Sequence, residues 1–243
     1  PTGGSVQANF PQHVEYSSNV AMAINANGAL GDYDWIEAGD DEPLVLGFHS
    51  PNDIFAPFSY GDVVVPTTND LVIGCVAGTE EIVEAVNANG TNDAMVEGNS
   101  ADLPAMFSDL SRSVNALNIT YKDQTVGFAP TVPVAPFCID QPSFTEPLTR
   151  SRDNMFPLSS GTGLGAAYNW VDQATAEADL QDFLDEGGEL GDDPTLPDAV
   201  KIATVLGGEA MVNPNIYNPE GAKVVIDTMI AFFIPRAFIG MEL

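Results

Sequence analysis

Residues 222–238 read AKVVIDTMIAFFIPRAF, the most apolar stretch of the chain. Its even apolarity predicts a strand, over 222–234, buried on both faces or packed against a neighbouring subunit. Working outward, residues 43–49 (PLVLGFH), 62–65, 71–77 and 132–139 are short apolar runs rich in Val, Ile and Phe and punctuated by Pro and Gly. Each reads as a strand. Residues 117–122 (LNITYK) alternate, with Leu117, Ile119 and Tyr121 on one face and Asn118, Thr120 and Lys122 on the other. That pattern predicts a half-buried strand.

Two helices are expected among these strands. In residues 103–112, Leu103, Met106, Phe107 and Leu110 recur at helical spacing, with Pro104 in the first turn. In residues 175–186, Thr175 is placed as the cap, Leu180, Phe183 and Leu184 share a face, and Gly187-Gly188 ends the helix. Its other face, Glu177, Asp179, Asp182 and Asp185, reads as solvated surface. Residues 79–89 fit a helix or one arm of a hairpin, with the hairpin preferred, and residues 185–198 fit a surface loop. The 18 prolines and 22 glycines suit many short strands joined by turns. No repeat of 20–50 residues is visible. Without βαβ spacing, the expected class is all-β: a jelly-roll β-barrel or sandwich over residues 1–243, with residues 67–130 as an inserted β-rich tower or elaboration.

The chain has 243 residues, 35 of them acidic against 7 Lys plus Arg, for a net charge of −28. Hydrophobic residues make up 44%, enough for a packed core and too many for an acidic disordered chain. On a sphere of about 22 Å radius, such a charge repels itself by roughly 75 kcal/mol in unscreened water. Screening reduces that to roughly 25 kcal/mol at 0.1 M salt and nearer 10 at about 1 M. Even part of this difference rivals a typical stability of about 5–15 kcal/mol. With lysine confined to Lys122, Lys201 and Lys223, the composition is that of a protein adapted to concentrated salt. It disfavours nucleic-acid binding, because no basic stripe exists to meet phosphates; Arg150 and Arg152 are the one close cationic pair.

The opening PTGGSVQANFPQHVEY lacks a basic n-region and an apolar h-region, so the expectation is a product made in the cytoplasm without a signal peptide. The apolar run 229–241 is broken by Pro235 and Arg236 and falls short of a membrane span, which needs about 20 residues. Cys75 and Cys138 lie in apolar runs and are expected as buried free thiols.

Chemistry-bearing motifs are sparse, and the chain reads as a non-enzyme with no catalytic residues and no cofactor. His13 and His49 sit in no metal-binding pattern and read as surface or capping residues. There is no GxSxG or SxxK motif. The glycine run at residues 161–165 follows no expected strand, so it reads as a loop rather than a dinucleotide site. Asp40, Asp41 and Glu42, and Asp192 and Asp193, are weak candidates for a hard cation, without EF-hand spacing. Sequons occur at Asn89 and Asn118. Phe55, Phe58, Tyr60, Phe137, Phe144 and Phe156 lie in Pro-rich segments as core residues or interface anchors.

Taken together, the acid-rich stretches 40–42 and 185–198, the apolar run 222–238 and the lack of catalytic motifs resemble the single jelly-roll major capsid proteins of icosahedral, internal-membrane viruses of haloarchaea. The resemblance implies an upright β-barrel, the larger of two related capsid proteins. It implies self-association and assembly with that second protein into capsomers of the virion, over an enclosed membrane, with minor capsid or vertex proteins as further partners. Two other classes remain open: a viral tail-tube or decoration protein, and a salt-adapted hydrolase or carbohydrate-binding module. The last would show convergent polar groups and perturbed carboxylates.

Overall fold

The computed structural model describes residues 19–32, 35–37, 39, 42–51, 53, 55–65, 70–122, 153–158, 167–191 and 193–243. Its strands are β1 (Met22–Ala26), β2 (Ala29–Leu30), β3 (Leu44–His49), β4 (Tyr60–Val65), β5 (Asp70–Gly78) and β6 (Met155–Pro157). The helices are α1 (Thr79–Ala88), α2 (Asp109–Lys122), α3 (Gln173–Asp185), α4 (Asp198–Val212) and α5 (Pro219–Gly240), with a 3₁₀ segment at Asp93–Asn99. Among the described residues helix outweighs strand, 47% against 17%, so the fold is mixed α/β and the expected all-β jelly roll is overturned.

Three strands form a parallel sheet in the order β1-β3-β6, with Met22 opposite Leu44 and Gly47 opposite Met155. A separate antiparallel sheet has the order β2-β5-β4. The expected strands at 43–49, 62–65 and 71–77 therefore exist, while 132–139 lies outside the described residues.

Strand β3 is covered on both faces, as a central parallel strand must be. Leu46 and Phe48 point into the main core with Met95, Val114, Leu158, Ala231 and Phe232. Val45 faces the other way, toward Phe58, Val83 and Met155. On that side a Cβ at Gly47 would collide with the Thr79 and Val83 side chains, so the absent side chain sets how closely α1 approaches the sheet.

The run read as the closing strand is α5. Asn218 accepts a hydrogen bond from the Gly221 N–H, and Pro219 occupies the first turn, both helix-start signals. The helix is apolar nearly all round, so periodicity carried no information. Its β-branched residues suggested a strand, but packing against α2, the 3₁₀ segment and β3 overrides that modest preference.

The alternating run 117–122 is the end of α2. Leu117 is 60% exposed and Asn118 fully buried, the reverse of the strand expectation. The helix begins about one and a half turns later than expected, where the Ser108 hydroxyl accepts from the Ser111 N–H. Leu103 and Phe107 are still buried, but in the preceding turn, and Met106 and Leu110 are exposed. Residues 79–88 form α1 rather than a hairpin arm. Far from a β-rich insertion, residues 70–122 supply one strand, two helices and the 3₁₀ segment, several of which build the core.

Helix α3 matches expectation, except that Asp172 rather than Thr175 is its cap: its carboxylate accepts from the Thr175 N–H at 2.9 Å. Gly187 follows the helix with φ +89°, a conformation suited to glycine. Glu177, Asp179, Asp182 and Asp185 are all exposed. Helix α4 lies beside α3, leaving a groove of about 620 Å³ floored by Ile202 and Leu206. Among the described residues, no helix is long and apolar enough to cross a membrane.

Candidate functional site

In open parallel sheets, ligands bind outside the carboxyl ends of the strands, where loops diverge and backbone groups lose their ladder partners. Here β1 and β3 end side by side. Asn27, with φ 53°, turns the chain after β1 while its N–H donates to the Phe48 carbonyl of β3 at 2.8 Å. Asparagine tolerates this left-handed conformation better than most residues. Its carboxamide then points across to the β3 end. Oδ1 accepts from the Ser50 N–H at 3.1 Å, and Nδ2 donates to Asp53 Oδ2 at 2.7 Å.

Asp53 is the acidic centre of this edge, its side chain only 3% exposed. Oδ1 accepts from the N–H groups of Phe55 at 2.7 Å and Ala56 at 3.1 Å, which fixes the turn after β3. Burial raises the carboxyl above its ordinary pKa, and the hydrogen bonds from Phe55, Ala56 and Asn27 partly offset that. Tyr168 closes the edge, its hydroxyl donating to the Ala26 carbonyl at 3.2 Å. Burial and the charge of Asp53 both raise its phenol pKa.

His49, expected as a surface or capping residue, is fully buried at the end of β3. Nδ1 lies 2.7 Å from the Thr79 hydroxyl, Nε2 lies 3.3 Å from the Ala56 carbonyl, and Phe58 packs edge-on against the ring. A neutral imidazole carries one N–H. Assigning it to Nε2 toward Ala56 leaves Nδ1 to accept from Thr79, which satisfies both contacts. Burial lowers the His49 pKa to about 4, so at neutral pH the ring is uncharged. Its 4.0 Å separation from Asp53 is too long for a hydrogen bond. The edge is thus a hydrogen-bonded arrangement around a buried carboxylate, with His49 and Asp53 not hydrogen-bonded to each other.

Of the residues expected to hold a cation, Glu42 and Asp193 are among those described. Glu42 is half-buried just before β3, whereas Asp193 is exposed between α3 and α4. Asp193 is occupied locally by the N–H of Thr195 at 2.9 Å and its hydroxyl at 2.6 Å, which hold its carboxyl below the usual range. Asp40, Asp41, Asp192 and His13 lie outside the described residues, as do Gly161–Gly165, Phe137 and Phe144. Among the described residues, no three His, Cys, Asp or Glu side chains cluster as metal ligands.

Cys75, expected as a free thiol, is disulfide-bonded; the other cysteine of the chain, Cys138, is not among the described residues. The Asn89 sequon lies exposed at the end of α1, while Asn118 is buried inside α2. Phe58 is core, Phe156 packs against the core, and Phe55 is 46% exposed.

Asn27, Asp53, Thr79 and Tyr168 escaped the sequence reading. A usable signal was present: His-Ser-Pro-Asn-Asp follows an apolar strand directly, but it marks a site only once β3 is known to be parallel to its neighbours. Comparisons with protein-family models, curated proteins and solved structures gave no match for this chain.

Proposed function

We propose that this chain is a salt-adapted α/β domain that binds a small, hydroxyl-bearing molecule at the carboxyl ends of β1 and β3. Of the classes open from the sequence, the hydrolase or carbohydrate-binding module fits this best. The observation that carries the reading is Asp53: a nearly inaccessible carboxylate with a raised pKa, held from behind by Asn27 and two backbone N–H groups, at the edge where parallel sheets bind ligands. On this reading the edge opens as the ligand enters, and the carboxylate then accepts hydrogen bonds from ligand hydroxyls in a low-dielectric setting, where such bonds are strong.

The test is calorimetric titration in concentrated salt with a panel of mono- and disaccharides, alongside assays for ester and glycoside hydrolysis. Asp53→Asn is expected to weaken binding about tenfold or more, the loss of a charge-assisted hydrogen bond. If no panel member binds and none is turned over, the reading fails.

The shell-building reading, as a capsid protein assembling with itself and a second subunit in a virion, loses the jelly roll that motivated it. One observation still favours association. Val224, Ile226, Ile230 and Ile234 leave α5 with exposed apolar side chains. Electron microscopy of the protein in concentrated salt separates the two: ordered particles or rings favour assembly, and dispersed monomers favour the ligand-binding domain.

A further inference from the structure

Helix α4 is apolar on nearly every side: between Asp198 and Glu209 its one charged residue is Lys201. A helix of that kind belongs in an interior. Yet only Ile202 and Leu206 of α4 are buried, while Val200 is 46% and Met211 75% exposed, and α3 has no buried residue. The two helices run antiparallel, since the Val171 N–H before α3 donates to the Ile216 carbonyl after α4 at 2.7 Å. The groove of about 620 Å³ between them reaches from Ala199 to Ala210, about three helical turns.

Two features of the groove have no use within the chain. Gly207, in its wall beside Ala203, sits inside a helix, where glycine is the least favoured residue after proline. A Cβ there would meet nothing within 4 Å, so no internal contact requires the glycine. A wall of such small residues lets the backbone of another helix come close. The second feature is charge. Tyr217, which lines the groove, donates its hydroxyl to the Glu209 carboxylate. Its phenol pKa is raised by burial, by that hydrogen bond and by the charges of Glu209 and Glu177. Glu177 lines the opposite wall, so two carboxylates converge at this end of the groove. Among the described residues, neither forms an ion pair.

We propose that the groove receives an amphipathic helix of a different protein, its apolar stripe on Ile202 and Leu206 and a Lys or Arg beside that stripe meeting Glu177 and Glu209. Helices docked in grooves anchor through side chains one turn apart, and three turns of length accommodate such a series. A second copy of this chain lacks the cation. Among the described side chains, Arg112, Lys201 and Lys223 are paired with Asp109, Asp198 and Asp227, and Arg236 is buried. In concentrated salt the apolar contact supplies the affinity, and the cation at short range fixes the register.

The test uses the full chain in concentrated salt and two fluorescent helical peptides. Both carry leucines at i, i+4, i+7 and i+11; one has lysines beside them and the other glutamates. Fluorescence anisotropy is expected to show the lysine peptide binding about tenfold or more tighter than the glutamate peptide. Glu177→Lys, an exposed change, is expected to abolish that preference. Gly207→Leu fills the groove and is expected to weaken the lysine peptide about tenfold or more. Should Gly207→Leu not fold, Gly207→Ala replaces it: the melting temperature of the free chain is expected to rise while the peptide binds more weakly. No binding of either peptide, equal binding of both, or binding unaltered by the Gly207 variants overturns the proposal. So does a dimer in sedimentation equilibrium that Gly207→Leu breaks, because that result assigns the groove to a second copy.

Discussion

The side-chain amide of Asn92 pairs with both backbone groups of Val45: Nδ2 donates to the Val45 carbonyl at 2.9 Å, and Oδ1 accepts from the Val45 N–H at 2.9 Å. One side chain thus imitates a neighbouring strand beside β3. The same Nδ2 reaches Asn87 Oδ1 at 2.7 Å, and Asn87 Oδ1 in turn accepts from Asn154 Nδ2 at 3.1 Å, so asparagines tie the loop after α1 to the loop before β6. Asn92→Ala leaves the two groups of Val45 unpaired and is expected to cost about 2–4 kcal/mol. Denaturant titration reads the loss, and hydrogen exchange places it, with the Val45 amide exchanging much faster than in the wild type.

Phe232 is the centre of the main core. It packs edge-on to Phe48 at 5.5 Å, meets Phe156 at 5.4 Å and lies beneath Arg236. Phe232→Ala is expected to destabilise by about 3–5 kcal/mol, combining lost burial with the cavity left behind. Chemical denaturation in concentrated salt measures it. A cost below about 1 kcal/mol would mean that α5 does not dock on β3 as described.

His49 gives the fold an acid sensitivity. Its folded pKa of about 4 lies below the ordinary histidine value of 6.5, so the unfolded chain binds this proton first. The contribution is therefore intact above about pH 6.5 and is lost as pH falls toward 4, amounting to at most about 3 kcal/mol. Asp53, with its pKa raised, acts in the opposite sense: the folded state takes up its proton first, which returns stability as pH falls toward 3.8. NMR of the histidine ring resonances is the direct check. In the wild type, one of the two histidines should not titrate above about pH 5, and that signal should vanish in His49→Gln.

Lowering the salt tests the surface charge. With a net charge of −28, dialysis below about 0.5 M salt is expected to loosen or unfold the chain as screening weakens. Circular dichroism and light scattering that stay unchanged would show that the carboxylates are tolerated without dissolved ions.

The contrast between α3 and α5 shows what a sequence pattern carries. Helix α3 was legible because its apolar residues occupy one side and exposed acids the other, with glycines just beyond its end. Helix α5 has apolar residues on nearly every side, since one side meets the core and another is exposed, so no period distinguished helix from strand. The six residues 117–122 alternate as a strand would, but over so short a span the pattern also fits the end of a helix.

The site was harder to read than the fold. Arg236 and Asn115 are drawn together from residues far apart in sequence, and the pairing of Asn27 with Asp53 depends on two strand ends lying side by side. Polar residues of these types are common on surfaces, so their composition gave no warning that they would be buried.

What the amino-acid sequence determined alone is what depends on totals and on near neighbours: a net charge of −28, enough apolar material for a core, the strands β3, β4 and β5, and the end of α3. The tertiary structure decided the rest, namely that β1, β3 and β6 run parallel, that the apolar run at 222–238 coils into a helix, and that His49, Asp53 and Arg236 are buried. Local preferences amount to tenths of a kcal/mol per residue, whereas burying a large apolar side chain is worth about 1.5–3 kcal/mol. Where the two disagree, distant contacts choose the conformation.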